Sequence, residues 1–325
     1  MQDMEYTIER GKLYMLQTLM LVLGMTAAVA EETPTDMEKA TIKKIYKLTN
    51  ADTTSPEETF TLEQTGSSVK NGEATTAPAL GTISGASFAE GAAAVAGTEG
   101  VISVALPTYE KVGVYEYTLK EVVGKTAGVA YYGNEIKLVV TVVNGDNGKL
   151  RVAAVHTEGE GGQKSDTFTN TYSAGTLNVK KTVTGNLGDK DKYFEFKVTL
   201  TGEASKIYGA SYEVTGGSNT SNPSTIKIGE ETTFLLKDSD TISIANLPYG
   251  VTYTVTETAA DGYTTTKSGD TGSINAASQT AAFTNTKTGS IDTGVTTESL
   301  PYVVLMGFVV LAGAALLLKR KAHNN

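Results

Sequence analysis

Phe168-Thr169-Asn170-Thr171 and Phe283-Thr284-Asn285-Thr286 spell the same four residues, and each closes a stretch of alternating apolar and polar sequence. Two further features precede each copy in the same order. Upstream stand Ala40-Thr41-Ile42-Lys43-Lys44-Ile45-Tyr46 and Leu177-Asn178-Val179-Lys180-Lys181-Thr182-Val183, both alternating runs that carry a Lys pair. Between them and the Phe-Thr-Asn close lie Tyr117-Thr118-Leu119-Lys120-Glu121 and Tyr253-Thr254-Val255-Thr256-Glu257. The order Lys, Glu, Asn therefore occurs twice, which reads as two copies of one module built from strands with a period of two.

The rest of the chain between 31 and 293 supports that reading. Ile136 to Val143 and Leu150 to Val155 flank Asn144-Gly145-Asp146-Asn147-Gly148 and read as a hairpin. Lys192 to Leu200 alternates aromatic and polar residues. Thr233–Leu236, Thr241–Ala245 and Val251–Glu257 are short strands, with Asn246-Leu247-Pro248-Tyr249-Gly250 expected as a turn. No amphipathic helix of useful length interrupts them. The expected fold is all-β, two tandem β-sandwich domains over 31–173 and 174–288. Ser173-Ala174-Gly175-Thr176 reads as a short linker, and the Gly-, Ala- and Ser-rich region Gly66–Gly100 as a long loop or irregular insertion.

The two ends have other purposes. Arg10 and Lys12 precede an apolar run, Leu13 to Val29, that ends Ala28-Val29-Ala30 before Glu31-Glu32. That is the pattern of a cleaved secretory signal over 1–30. Leu300 to Leu318 carries no charge and, as a helix, matches the hydrocarbon thickness of a bilayer. Lys319-Arg320-Lys321 follows and places the tail, 319–325, in the cytoplasm. Just before the span stands Ser290-Ile291-Asp292-Thr293-Gly294. Pentapeptide, span and basic tail together, 289–325, resemble a Gram-positive cell-wall sorting signal of the LPxTG type. Asp292 stands where such signals usually have Pro. The resemblance implies cleavage by a sortase between Thr293 and Gly294.

Composition excludes several function classes. The expected mature segment carries 22 Lys and Arg against 32 Asp and Glu, so nothing neutralises phosphates and a nucleic-acid role is excluded. The chain has no Cys, although it is exported, so stability must come from large cores or another cross-link. Of two His, His156 lies in an expected strand and His323 in the cytoplasmic tail. A Ser-His-Asp triad or a His-based metal site is therefore disfavoured, and neither a metal nor a cofactor is expected.

Strand parity supplies the chemistry. If Ile42 and Tyr46 point inward, so does Lys44, which favours Lys44 over Lys43 and Lys47. If Val179 and Val183 point inward, so does Lys181. The same argument buries Glu121 with Tyr117 and Leu119, and Glu257 with Tyr253 and Val255. A buried Lys beside a buried Glu is costly without compensation. Desolvation favours the neutral form of each group, an amine that is a nucleophile and an acid that donates a hydrogen bond. With an Asn amide between them, the amine can attack Cγ while the acid polarises the carbonyl and shuttles protons. Ammonia leaves, and a Lys–Asn isopeptide bond remains. Singly, a strand Lys pair protects an edge, a strand Glu faces solvent and an Asn forms a turn. The ordered triplet, written twice, argues for the bond.

The L-x-V-x-K opening, the Y-x-V-T-E strand and the F-x-N close resemble the two-domain major backbone pilins of Gram-positive bacteria, of the streptococcal type. The second module matches closely. In the first, Ile42 and Leu119 stand for Val, and Lys120 for the usual Thr. The resemblance implies Ig-like domains of the Cna B type in which first and last strands run side by side. Bonds Lys44–Asn170 and Lys181–Asn285, promoted by Glu121 and Glu257, would then join strands that carry tension. It also implies a surface pilus in which sortase links Thr293 of one subunit to a Lys of the next, with peptidoglycan anchorage and a membrane stage only before sorting. Lys164, in Gly161-Gly162-Gln163-Lys164-Ser165, has the place of that linking Lys. The rival reading is a wall-anchored adhesin that does not polymerise and presents a surface to host ligands.

Overall fold

The computed structural model describes residues 36–290 and, beyond them, Met306 alone. The expected signal over 1–30, residues 291–294 of the sorting motif, the span 300–318 apart from Met306, and the tail 319–325 lie outside the described residues. Within them the alternating runs become strands whose burial alternates with the sequence. Lys39–Leu48 buries every second residue from Ala40 to Leu48. Gly113–Glu121 does the same from Gly113 to Glu121. Side chains on one face of a strand share a core only if that face meets a second apolar sheet, so each module closes as two packed sheets.

In the first module, one sheet has the order Thr98–Ala105, Lys39–Leu48, Thr167–Tyr172, Val129–Ala130. The facing sheet has the order Leu62–Gly72, Gly113–Glu121, Ile136–Asn144, Leu150–Glu158. In the second, Ala174–Thr184 and Ser278–Thr286 lie side by side within a six-stranded sheet, and Phe194–Thr201 and Thr252–Glu257 within a four-stranded one. In both modules the opening and closing strands pair in parallel. Two apolar cores result, one running from Ala40 to Ala174 and one from Leu177 to Phe283. Among the described residues, no helix is long and apolar enough to cross a membrane.

Three local expectations are corrected. Ser173–Thr176 is not a linker. Strand Thr167–Tyr172 is separated from strand Ala174–Thr184 by Ser173 alone. Ala174 is fully buried in the first core yet pairs with Pro248 of the second module. Its small neighbour Gly175 is there for contact, because a Cβ would meet the Ala276 carbonyl oxygen at 2.2 Å. Small residues that look like linker composition are here a close backbone approach.

Nor is Gly66–Gly100 a loop throughout. It contains the end of strand Leu62–Gly72, strand Ala86–Phe88 and the start of Thr98–Ala105. Phe88 packs edge-on against Tyr46 at 5.4 Å. Strand Leu62–Gly72 is exposed or half-exposed after Leu62, so its alternation is weak and its sequence reads as polar loop. Finally, Asn246–Gly250 is not all turn. The strand Thr241–Pro248 runs through it, with Asn246 at φ 58°.

Asn246 uses that backbone geometry to cross between modules. Its side chain accepts from Thr54 N at 3.0 Å and donates to Thr54 O at 2.9 Å. Asn50 Nδ2 donates to Ala174 O and to Tyr249 Oη, each at 2.7 Å. Backbone bonds Ala127 N to Ile207 O and Ile207 N to Lys125 O add a third tie. The modules are joined by hydrogen-bonded backbone on several sides of one nearly continuous strand.

Candidate functional site

The parallel pairing of opening and closing strands sets a shared register. Tyr46 lies beside Asn170 in the first module, and Val183 beside Asn285 in the second. In each case the Asn therefore stands beside the residue two positions after the Lys, on the same face of the same sheet. The Glu arrives from the opposite sheet, as the last residue of its strand in both modules. Three elements distant in sequence thus deliver Lys, Glu and Asn to one point between the sheets, twice.

Lys44, Asn170, Lys181 and Asn285 are fully buried. The side chains of Glu121 and Glu257 are buried too, at 0 % and 3 % exposure. Lys43 points outward toward Glu99 and Asp166, and Lys47 is exposed, so Lys44 is the inward lysine of its strand. In the first module, Lys44 Nζ donates to Glu121 Oε2 and, at 2.8 Å, to Asn170 Oδ1. Asn170 Nδ2 donates to Glu121 Oε1. The three groups form a closed ring of hydrogen bonds.

In the second module, Lys181 Nζ donates to Glu257 Oε1 at 2.7 Å, and Asn285 Nδ2 to the same oxygen at 2.5 Å. Glu257 Oε2 and Asn285 Oδ1 are buried and unpaired.

Aromatic rings wall both sites. Lys44 Nζ lies 5.3 Å from the Phe60 ring centre and 5.7 Å from Tyr132. Lys181 Nζ lies 4.0 Å from Phe194 and 5.7 Å from Phe196. Burial pushes both amines below the ordinary lysine range, and the neighbouring Glu121 and Glu257 oppose that shift without cancelling it. A lysine held in this way has more of its neutral, nucleophilic form at neutral pH than a surface lysine.

Sequence reasoning does not single out Phe60, Tyr132 or Phe194. Their signal is only a large aromatic at an inward position. It becomes specific once the sheets place those positions over an amine.

Lys164 lies apart from both sites. It is exposed, separated from the turn Glu160–Gly162 by Gln163, and borders a groove at the edge of the first module.

The geometry has counterparts among known proteins. Residues 40–173 match the family described as FctA, Spy0128-like isopeptide containing domain. Residues 175–287 match a family described as a domain of unknown function, DUF7601. The chain is 34% identical over 238 residues to the pilin of Streptococcus pyogenes serotype M1, covering 66% of this chain and 69% of that one. It is 33% identical over 129 residues to the pilus tip adhesin Cpa of Streptococcus pyogenes, covering 38% of this chain and 18% of the adhesin. The crystal structure of the major pilin from Streptococcus pyogenes superimposes with a TM-score of 0.54 at 24% identity, covering 78% of this chain and all of that one. The T3.2 major pilin from Streptococcus pyogenes gives 0.51 at 22% identity, over 78% of this chain and 99% of that one. The chain belongs to the streptococcal-type major pilins, the backbone subunits of Gram-positive surface pili.

Proposed function

We propose that this backbone subunit closes two isopeptide bonds within itself, Lys44–Asn170 and Lys181–Asn285, and is joined to its neighbours through Lys164 and Thr293. The observation that carries the reading is the coincidence of a buried Lys, Glu and Asn at the same register in both modules. Burial of these groups is costly for folding alone, and breaking such a pair leaves an uncompensated charge. Chemistry that turns the amine and the primary amide into one neutral secondary amide relieves that cost permanently.

In each site the neutral Lys Nζ attacks Asn Cγ, forming the C–N bond. The Glu donates a hydrogen bond to Oδ1 as negative charge develops there, takes a proton from the amine and passes one to the departing Nδ2. Ammonia leaves, and the carbonyl reforms as a secondary amide. The walls exclude water, and the fixed geometry supplies the effective concentration that amide exchange needs. In the second site Glu257 Oε2 and Asn285 Oδ1 are both buried without partners, so one oxygen of the acid is free for this role. Each site turns over once, so the protein is a structural subunit and not an enzyme.

The domain limits fit this division. The first module, 31–173, carries Lys44, Glu121, Asn170 and Lys164. The second, 174–288, carries Lys181, Glu257 and Asn285. A signal over 1–30 and a sorting segment over 289–325 would bring the chain to the cell wall as a sortase substrate, with other subunits and peptidoglycan as covalent partners. The resemblance to pilins and to a tip adhesin supports a surface location in a Gram-positive bacterium.

The intact mass of a 31–293 fragment tests the bonds. It is expected below the sequence value by two ammonias, with one ammonia regained in Glu121→Ala and one in Glu257→Ala. A full sequence mass in the parent protein overturns the reading.

A further inference from the structure

Lys164 enters the structure opposite a specific partner. Glu158, the last residue of strand Leu150–Glu158, forms an antiparallel bridge with Lys164 across the turn. The flanking bonds are Gly159 N to Gln163 O at 2.8 Å and Ser165 N to Thr157 O at 2.9 Å. Neither residue of the pair bonds its partner's backbone, so this is the narrow type of cross-strand pair, in which side chains come closest.

The Glu158 carboxylate is nevertheless engaged elsewhere. Its Oε1 lies 3.1 Å from His156 Nε2, and with hydrogen on that nitrogen the imidazole donates to it. Among the described residues, no ion pair engages Lys164. Glu158 Oε2 points toward the turn, 4.0 Å from where a Cβ on Gly162 would stand. His156 and Lys164 both line a groove of about 480 Å³, with Met37, Leu138 and Val155 as its apolar part.

We propose that Glu158, held in place by His156, is the proton acceptor for Lys164 when its amine is acylated by the sorting motif of another subunit. The proposal rests on the reading of Lys164 as the linking lysine. A surface ammonium is not a nucleophile, and at neutral pH most surface lysines are ammonium. The acyl donor is a thioester of Thr293 on the sortase. Glu158 Oε2 takes one proton from the ammonium, and Nζ attacks the acyl carbon. The C–N bond forms and the C–S bond breaks. The leaving thiolate takes the second proton. Ammonium, carboxylate and thioester become amide, carboxylic acid and thiol, so charge and atoms balance. His156 engages Oε1 and leaves Oε2 for the amine. Other charged groups near Glu158 are Lys137, its register partner on strand Ile136–Asn144, Lys39 and Asp166 on the groove, and Glu160 of the turn. Lys137 Nζ is 3.7 Å from Glu116 Oε2, and Glu160 accepts from Asn134 at 2.9 Å. Asp166 Oδ2 is 3.9 Å from Lys43 Nζ.

The test uses protein spanning residues 31–299, which keeps the Thr293–Gly294 bond that the sortase must cleave, and a purified pilin-polymerising sortase that accepts this sorting signal. Rates of covalent dimer formation are measured from pH 6.5 to 10 for the parent, Glu158→Gln and His156→Gln. The ratio of variant to parent at each pH cancels the pH dependence of the sortase. The ratio for Glu158→Gln is expected near one-tenth or below at pH 7, on the order of general-base contributions. It should rise toward one at the alkaline end of that range, where hydroxide can take the place of the carboxylate as proton acceptor. His156→Gln should show the same trend with a smaller drop, and it carries the test if Glu158→Gln melts early. A ratio at or above one at pH 7 would mean that Glu158 merely stabilises the ammonium, and overturns the proposal. A low ratio that stays flat with pH marks a structural role and also overturns it. Lys164→Ala separates the two layers. If it still polymerises, the linking-lysine reading fails. If it does not, and Glu158→Gln behaves as the parent, only the proton-acceptor role fails.

Discussion

The two modules hold the same three residues in the same register but bond them differently. In the first, Lys44 reaches both Glu121 and the Asn170 carbonyl, and every polar atom of the trio has a partner. In the second, Lys181 and Asn285 both converge on one oxygen of Glu257, leaving its other oxygen and the Asn285 carbonyl unpaired. The aromatic wall differs too, with the Phe194 ring centre 4.0 Å from Lys181 Nζ and no ring centre nearer than 5.3 Å to Lys44 Nζ. Register fixes which residues meet, and the two sites differ in which polar atoms that meeting leaves without partners.

Chain order makes the two proposed bonds unequal in a second way. If load enters at Lys164 and leaves at Thr293, everything before Lys164 lies off the path. Load runs along Thr167–Tyr172 and Ala174–Thr184 to Lys181, then crosses to Asn285. On that path the Lys181–Asn285 bond is expected to bear tension, and the Lys44–Asn170 bond only to clamp the strand beside it. Pulling single polymers between subunits tests this most directly. Asn285→Ala should release the segment between Lys181 and Asn285, on the order of 350 Å per subunit at full extension. Asn170→Ala should release almost nothing, because the loaded strand is already extended. Equal lengthening in the two variants would mean that load enters elsewhere.

Heat does not respect chain order, so melting should restore the symmetry. Lys44 and Asn170 are 126 residues apart, and the second bond closes a loop of similar size. By the chain-entropy argument for a cross-link, each loop contributes about 5 kcal/mol by restricting the unfolded state. For modules of this size that corresponds to roughly 15 °C in Tm. Calorimetry of Asn170→Ala and Asn285→Ala should each show one transition lowered by about that amount. A module whose transition does not move had formed no bond. A pair of unequal shifts would reveal how much of the second site's unpaired polarity is relieved by reaction.

Much of the site is legible in the order of residues along the chain. Parity along Ala40–Tyr46 and Leu177–Val183 is enough to choose Lys44 and Lys181 from their Lys pairs, because a period of two leaves no freedom once the apolar residues face inward. The strand ends at Glu121 and Glu257 follow by the same rule. Register is not legible, since nothing local says which residue of a parallel partner stands opposite. The module junction misleads for a related reason. Ala174 and Gly175 are small because another backbone lies against them, and composition cannot distinguish that from a flexible linker. Leu62–Gly72 escapes sequence reading because a half-exposed strand shows no alternation. The pairing of Glu158 with Lys164 also depends on a turn whose length and form only the fold displays.

The smallest effect concerns the lysines once the bonds are prevented. In Asn170→Ala and Asn285→Ala, the buried amine still titrates below the ordinary lysine range because of burial. Between its folded pKa and the unfolded value near 10.4, the unfolded chain binds more protons than the native one. Stability must therefore rise with pH across that window. In the parent protein the same nitrogen belongs to an amide and contributes no such slope. Tyrosines set the upper limit. Burial raises Tyr46, Tyr109 and Tyr172 in the first module above the ordinary range, and Tyr131 to about 12. In the second, Tyr212 and Tyr253 are raised as well, also by burial. Above pH 10 the unfolded tyrosines lose protons that the folded ones keep, so stability falls. Melting curves from pH 7 to 11 should show each variant's affected transition climbing by a few degrees toward pH 10. It should then turn down, more steeply in the first module, with its larger set of buried hydroxyls. A flat curve below pH 10 in both variants would show that the lysines remain ammonium in the folded state. The amine would then have to lose its proton in the same step as it attacks the amide.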